Sequence, residues 1–376
     1  MHSLLSGKCL ICGACSNLIS SRLGVCLNCI RKQPEEALKI TEKIHAESRR
    51  RFGLPPSPPK DPDGVACGMC MNDCKIGRGN LGFCGLMSNV EGGLVRFGGT
   101  PEKGILEWYY DPLPTNCVAW WICAGCAGRG FPKYAYRKGP ETGYSNLAVF
   151  YGACSYDCLF CQNWHCRTLS AQLKPVVSAE SLASRADEKV SCICYFGGDP
   201  SPQMPHAIRT SEIALERARK ENRILRICWE SNGYMKWAFA DQAARLSFES
   251  GGTVKFDLKT WDDHLNKALC GVSNRPTLEN FRKIGRKFFR DRLDPPLLTA
   301  STLLVPGYVD TEEVRQLARF IASVDSRIPY TLLAFYPQYV MKDLPVTSRK
   351  WAYDCLEAAR SAGVQQVRLG NVHLLS

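Results

Sequence analysis

No apolar run in this chain of 376 residues reaches the roughly 18 that a membrane span needs, and the N-terminus MHSLLSGKCLICGACSN has no secretory h-region. A cytoplasmic location with no membrane partner is the expectation. Internal repeats and low-complexity tracts are missing too, which sets aside solenoids and disordered linker-type chains. Blocks of like charge are scarce: the net charge of +12 is spread along the sequence, and only Arg49-Arg50-Arg51 form a run, which reads as a solvated helix face. The positive balance suits an acidic protein surface or an anionic cofactor, and it leaves nucleic acid open as a partner.

What the chain has in quantity is cysteine. Twenty-one thiols would be disulfides in a small secreted domain. In a chain this long without a signal peptide they argue instead for metal ligation by reduced thiolates in a reducing compartment. The length allows one large domain of ~250 residues plus a smaller one, and the ordinary share of hydrophobic residues, 45%, can bury a core.

Composition shifts divide the sequence. Residues 1–51 hold a cysteine-rich module followed by PEEALKITEKIHAESRRR, whose charge density and spacing predict an exposed helix. FGLPPSPPKDPDG, 52–64, carries too many prolines to continue that helix and reads as a linker. Residues 65–145 form a second cysteine-rich segment, irregular and without clear period, that could cap a cofactor or substrate. From 146 to 376, short apolar runs alternate with helical stretches. LAVFYG, SCICYFGG, ILRICWES, TVKFDLK, LTASTLLVPG, YTLLAF and VQQVRLG are the predicted strands. Alternation of this kind is an α/β chain built of βα units around a parallel sheet, open or curled into a full or partial barrel. In such sheets chemistry gathers at the carboxyl ends of the strands. Here those ends read GACSYDCLFC, GGDP, ESNG, DLK and FYPQY, which points to one common site.

At the first of them, Cys154, Cys158 and Cys161 stand in the spacing Cys-x3-Cys-x2-Cys. Three thiolates can hold three irons of a 4Fe-4S cluster and leave the fourth iron free. A closed zinc site would need a fourth ligand, for which His165 or Cys166 is near. The later strand ends favour the open position.

With Phe160 just before the last cysteine, this triplet resembles the signature of the radical S-adenosylmethionine (SAM) enzymes. The resemblance extends over about residues 65–371 and is nearest to the branch that activates pyruvate formate-lyase. It implies a partial (β/α)6-type radical SAM barrel with an N-terminal cysteine-rich metal-binding region. It also implies a 4Fe-4S cluster and S-adenosylmethionine as cofactors, with the 5'-deoxyadenosyl radical as the working species. By the same resemblance, Phe160 lies near the adenine, and Gly197, Gly198, Asp199 and Pro200 approach the methionine ammonium. Glu230, Ser231 and Asn232 correspond to a ribose-contacting strand end, and Asp257 with Lys259 to an element that pairs with the cofactor carboxylate. Where that branch commonly has a histidine after the sixth strand, this chain has Tyr336, the catalytic candidate here; packing on the barrel rim is its other reading.

Cys9, Cys12, Cys26 and Cys29 form two CxxC pairs of zinc-ribbon type, a four-thiolate site for zinc or iron whose binding energy would fold so small a module. Cys67, Cys70, Cys74 and Cys84 supply a second four-thiolate set, open to zinc or an auxiliary iron–sulfur cluster. Cys117, Cys123 and Cys126 are either ligands or buried small residues. Cys192, Cys194, Cys228 and Cys270 are expected in the core, and Cys355 in a helix where packing suits it better than a methyl-carrying role.

The layout resembles archaeal relatives that modify a protein. The leading specific reading is a cobalamin-dependent radical methyltransferase acting on a glutamine α-carbon of methyl-coenzyme M reductase. No Asp-x-His-x-x-Gly motif marks a separate cobalamin domain, so cobalamin would sit in the 85–145 segment. A protein or peptide substrate and an electron donor such as ferredoxin or flavodoxin are the implied partners. A glycyl-radical-activating enzyme and an RNA-modifying radical methyltransferase are the enzyme alternatives. A nucleic-acid-binding metal protein is the alternative from another class, though strand ends such as GGDP and ESNG have no use in it.

Overall fold

The computed structural model describes residues 7–376, so the first six residues of the predicted 1–51 module lie outside it. Its centre is one nine-stranded sheet. Seven strands run parallel in chain order, Ser145–Tyr151, Val190–Phe196, Arg226–Ser231, Val254–Asp257, Leu298–Leu304, Tyr330–Ala334 and Val367–Gly370. Each coincides to within a few residues with a run expected from the sequence, because strands buried on both faces read as short, β-branched and apolar segments. The sheet curls but keeps two free edges, and so forms a partial barrel.

Helices cover the outside of this sheet. Met204–Lys220, Thr311–Val324 and Arg349–Ser361 fill three of the stretches between the predicted strands. Their starts have local causes: Asp310 accepts a hydrogen bond from the Glu313 amide, and Ser348 from that of Trp351. Trp237–Ser250 ends at Gly251, whose φ of 80° closes it in the left-handed region.

The 65–145 segment is more ordered than expected. Its main element is the strand Gly104–Pro112, which pairs antiparallel with Ser145–Tyr151 and extends the sheet. In GILEWYYDP, bulky aromatic residues fall on both faces, so no clean alternation marks it as a strand.

The helix Pro34–Arg50 is not solvated all round either. Ala37, Thr41, His45, Ser48 and Arg49 are buried along one face. Arg49, expected in a solvated run, is 2% exposed, donates to the carbonyls of Pro55 and Phe83, and stacks on the Phe83 ring. The remainder of the N-terminal module is fastened to the barrel. Arg31 pairs with Asp310 at 2.6 Å and Glu313 at 2.8 Å, and Ser20 and Ser21 bond Asp343. No helix among the described residues is long and apolar enough to cross a membrane.

Candidate active site

The first parallel strand ends at Tyr151 and the chain turns into the cysteine loop. Cys154, Cys158, Phe160 and Cys161 line a cavity at the carboxyl ends of the strands. Gly197, Gly198 and Asp199 follow the second strand into the same cavity, Glu230, Ser231 and Asn232 come from the third, and Asp257 and Lys259 from the fourth. Twelve of the residues expected in one site are therefore neighbours in space.

Their hydrogen bonds sort them further. Both carboxylate oxygens of Asp199 are taken up by the protein: Oδ1 accepts from Ser231 Oγ at 2.7 Å and from the Asn232 amide at 3.0 Å, while Oδ2 accepts from the Ser201 amide at 2.9 Å. Asp199 thus clamps two strand ends together, and burial raises its pKa in spite of those donors. The Asn232 side chain turns toward the cysteine loop, its Nδ2 donating to Ser155 Oγ at 3.0 Å and to Cys154 Sγ at 3.5 Å. Lys259 Nζ lies 2.7 Å from Asp257 Oδ2. Burial works against the ammonium, but Asp257 and the Cys158 sulfur outweigh it and raise its pKa. Ser301 holds the other Asp257 oxygen at 2.6 Å.

Behind the loop, Asp157 is fully buried between His45, Arg49 and Arg167. Burial alone would raise its pKa; the two guanidiniums and the imidazole bring it well below the usual carboxylate range.

Residues 148–321 match the family model described as the Radical SAM superfamily. The chain carries a radical SAM domain. An isethionate sulfite-lyase activating enzyme of Oleidesulfovibrio alaskensis is 31% identical over 145 residues, 38% of this chain and 41% of that protein. The match therefore spans less than half the length of that curated relative. An uncharacterised protein of Methanocaldococcus jannaschii is 24% identical over 83% of both chains. Among solved structures, a domain of pyruvate-formate lyase-activating enzyme from Bacteroides vulgatus superposes with a TM-score of 0.37 at 19% identity, over 47% of this chain and 98% of that one.

A radical SAM domain implies a 4Fe-4S cluster and S-adenosylmethionine, and the donor set fits them. Three sulfurs face one cavity, and Arg167, on its wall, has a buried Nη1 with no hydrogen-bond partner among the described residues, a donor suited to an anionic cluster. Gly198, φ 26°, passes so close to the loop that a Cβ would stand 2.2 Å from the Ala153 carbonyl oxygen. Only glycine permits that approach.

Two expected residues stand apart from this cavity. Pro200 is buried at the start of the short helical turn Ser201–Gln203. Tyr336 is 47% exposed and does not line the cavity, because its strand ends at Ala334 and the chain leaves the rim at that point. Arg167 and Tyr156 do line it and were not anticipated; nothing in their spacing marks them.

The four N-terminal sulfurs of Cys9, Cys12, Cys26 and Cys29 lie within 4.8 Å of one another. Cys12 and Cys26 are 3.8 Å apart, the edge of a tetrahedron with metal–sulfur bonds of about 2.3 Å. Burial would raise the Cys9 pKa, yet the amides of Cys12 and Cys26 bring it to about 6. Cys67, Cys70, Cys74 and Cys84 gather around the ribbon formed by Val65–Ala66 and Lys75–Ile76, and Cys84 shares a small cleft with Cys154.

Proposed function

We propose that this radical SAM enzyme generates a 5'-deoxyadenosyl radical and uses it to take a hydrogen atom from a protein or peptide. One observation carries the reading: three thiols, the only ones lining this cavity among the described residues, share it with Glu230, Asp257 and Lys259, so a place for a cluster and polar groups for its partner occupy the same enclosure. Bound there, an open-sited 4Fe-4S cluster supplies the electron that cleaves S-adenosylmethionine.

The roles of the chain's own residues follow. Cys154, Cys158 and Cys161 are the cluster ligands, and Arg167 compensates the charge of that assembly. Phe160 offers an apolar face to the adenine, Glu230 accepts from the ribose, and Lys259, held by Asp257, meets the cofactor carboxylate. Asp199 and Asn232 act through Ser231 and Ser155 and keep the strand ends and the loop in register. The N-terminal tetrahedron suits zinc, and the Cys67, Cys70, Cys74 and Cys84 set an auxiliary metal.

A substrate of the glycyl-radical enzyme class fits the activating-enzyme names of the relatives. Methylation of a glutamine in methyl-coenzyme M reductase would need a cobalamin beside the radical. The cavity lined by the 109–126 region measures only about 250 Å³, small even for a drug-sized ligand, which favours hydrogen abstraction without a corrinoid. The test is anaerobic reconstitution with iron and sulfide, then dithionite and S-adenosylmethionine. Formation of 5'-deoxyadenosine is expected, and its absence in cluster-replete protein overturns the reading.

A further inference from the structure

A second cavity lies deeper in the barrel and shares two wall residues, Phe196 and Glu230, with the first. Alternation along the strands builds one side of it. Cys192 and Cys194 are two residues apart on Val190–Phe196, and Cys228 pairs with Cys194 in register, so all three face inward. The other side is the segment after Gly104–Pro112, which folds back into the barrel and brings Cys117, Cys123 and Cys126 to the same enclosure. Placing the strand cysteines in the core as packing residues is therefore only half right: Cys192 and Cys194 are buried and Cys228 partly so, but all three line a space.

We propose that this cavity binds an iron–sulfur cluster ligated by Cys117, Cys123 and Cys126 and completed by one of the strand thiols facing them. Lys255 is the first argument. Its side chain is 3% exposed, and its ammonium lies 2.8 Å from Cys117 Sγ and 3.2 Å from Cys194 Sγ, with Glu230 at 3.3 Å. An ammonium removed from water needs strong acceptors; Glu230 is one, but the two nearest contacts are sulfurs. A neutral thiol is a weak acceptor, whereas a metal-bound thiolate carries the charge that Lys255 answers.

Backbone geometry is the second. The Ala119 amide points at Cys117 Sγ at 3.4 Å and the Cys126 amide at Cys123 Sγ at 3.3 Å. The Tyr156 amide does the same to Cys154 Sγ at 3.3 Å in the radical loop. Amides directed at sulfur stabilise ligated thiolates and tune the cluster they hold.

The room in the cavity favours a cluster over a single ion. Among the described residues only the N-terminal four thiols are drawn within 4.8 Å of one another. The cavity thiols come from two facing elements around an enclosure of about 250 Å³, room that a multi-atom inorganic core occupies and one zinc ion does not.

The test uses the full chain, reconstituted anaerobically with ferrous iron and sulfide. The Cys117→Ala, Cys123→Ala, Cys126→Ala triple variant should lose about four irons and four sulfides per chain. It should keep the spectral change that S-adenosylmethionine causes at the triplet cluster. Replacing Cys154, Cys158 and Cys161 instead should abolish that change and leave the cavity cluster in place, so the two readings fail separately. Unchanged iron and sulfide in a folded triple variant, or zinc in their stead, overturns the proposal. Should the triple variant not fold, Cys117→Ser and Cys126→Ser singly should shift the electron paramagnetic resonance of one cluster, while Cys355→Ser, buried in the helix Arg349–Ser361, should not. Identical spectra in all three also overturn it.

Discussion

His45 Nδ1 lies 2.8 Å from Asp157 Oδ2, which joins the N-terminal helix to the loop that carries Cys154, Cys158 and Cys161. Asp157 Oδ1 accepts from Arg167 at 2.8 Å, and Arg49, from the same N-terminal helix, is 3.7 Å away. The module before the proline-rich stretch thus holds the candidate cluster loop from behind.

Asp157→Asn leaves two buried guanidiniums without their carboxylate, which should cost about 3–5 kcal/mol. Urea unfolding of the variant is the check, and a loss below about 1 kcal/mol would contradict the assignment. Because the folded-state pKa is depressed, the contribution is present above the unfolded value of about 3.9 and is lost as pH falls below it. Wild-type stability should therefore drop in acid more steeply than that of Asp157→Asn.

Gly198→Ala tests the close approach of the second strand end to the loop. A methyl group there meets the carbonyl oxygens of Ala153 and Tyr151 at 2.2 and 2.3 Å, and backbone cannot step aside cheaply. The variant should be destabilised by about 2 kcal/mol or more and form little 5'-deoxyadenosine. Tyr336→Phe should leave the yield within about twofold, since its hydroxyl lies off the cavity.

Much of this arrangement was legible in the sequence. Cysteine spacing and the polar strand ends GGDP, ESNG and DLK pointed to the one cavity they line because parallel strands put their carboxyl ends side by side. Their individual duties were not legible: Asp199 occupies the position of a cofactor contact but bonds Ser231 and Asn232, a choice made by side-chain geometry across two strands. Cys194 and Cys228 look like core residues in the sequence because a lumen-facing strand residue and a packed one are alike in residue type. What separates them is the chain segment at 113–128 opposite, whose path depends on tertiary contacts such as that of Trp121 Nε1 with Thr331 Oγ1 at 3.3 Å.

Lys259→Met removes the ammonium that Asp257 positions. If it meets the cofactor carboxylate, the KM for S-adenosylmethionine should rise about tenfold or more, the cost of one charge-assisted hydrogen bond. The cluster content should not change. An unaltered KM would take Lys259 out of the cofactor site.

Chelation at the N-terminal tetrahedron should unfold residues 9–29 without dissolving the barrel, since the small module has little core of its own. Limited proteolysis after chelator treatment should cut there first. Arg31→Ala, which removes the pairs with Asp310 and Glu313, should make that cut faster.

His206 supplies a pH dependence that is separable from the metal sites. It is buried; Tyr151 Oη donates to its Nδ1 at 2.8 Å, and its Nε2–H donates to the Val177 carbonyl at 2.9 Å, so the ring is satisfied as the neutral form. Burial lowers its pKa to about 4. A folded value below the unfolded one of about 6.5 means that unfolded chains bind the proton first, so stability present above pH 6.5 is lost as pH falls toward 4. By pH 5.5 the loss should reach about 1.4 kcal/mol. His206→Gln keeps a donor and an acceptor but cannot titrate. The difference in unfolding free energy between the two proteins should narrow by that amount from pH 7.5 to 5.5, and parallel curves would show that the ring is not held neutral.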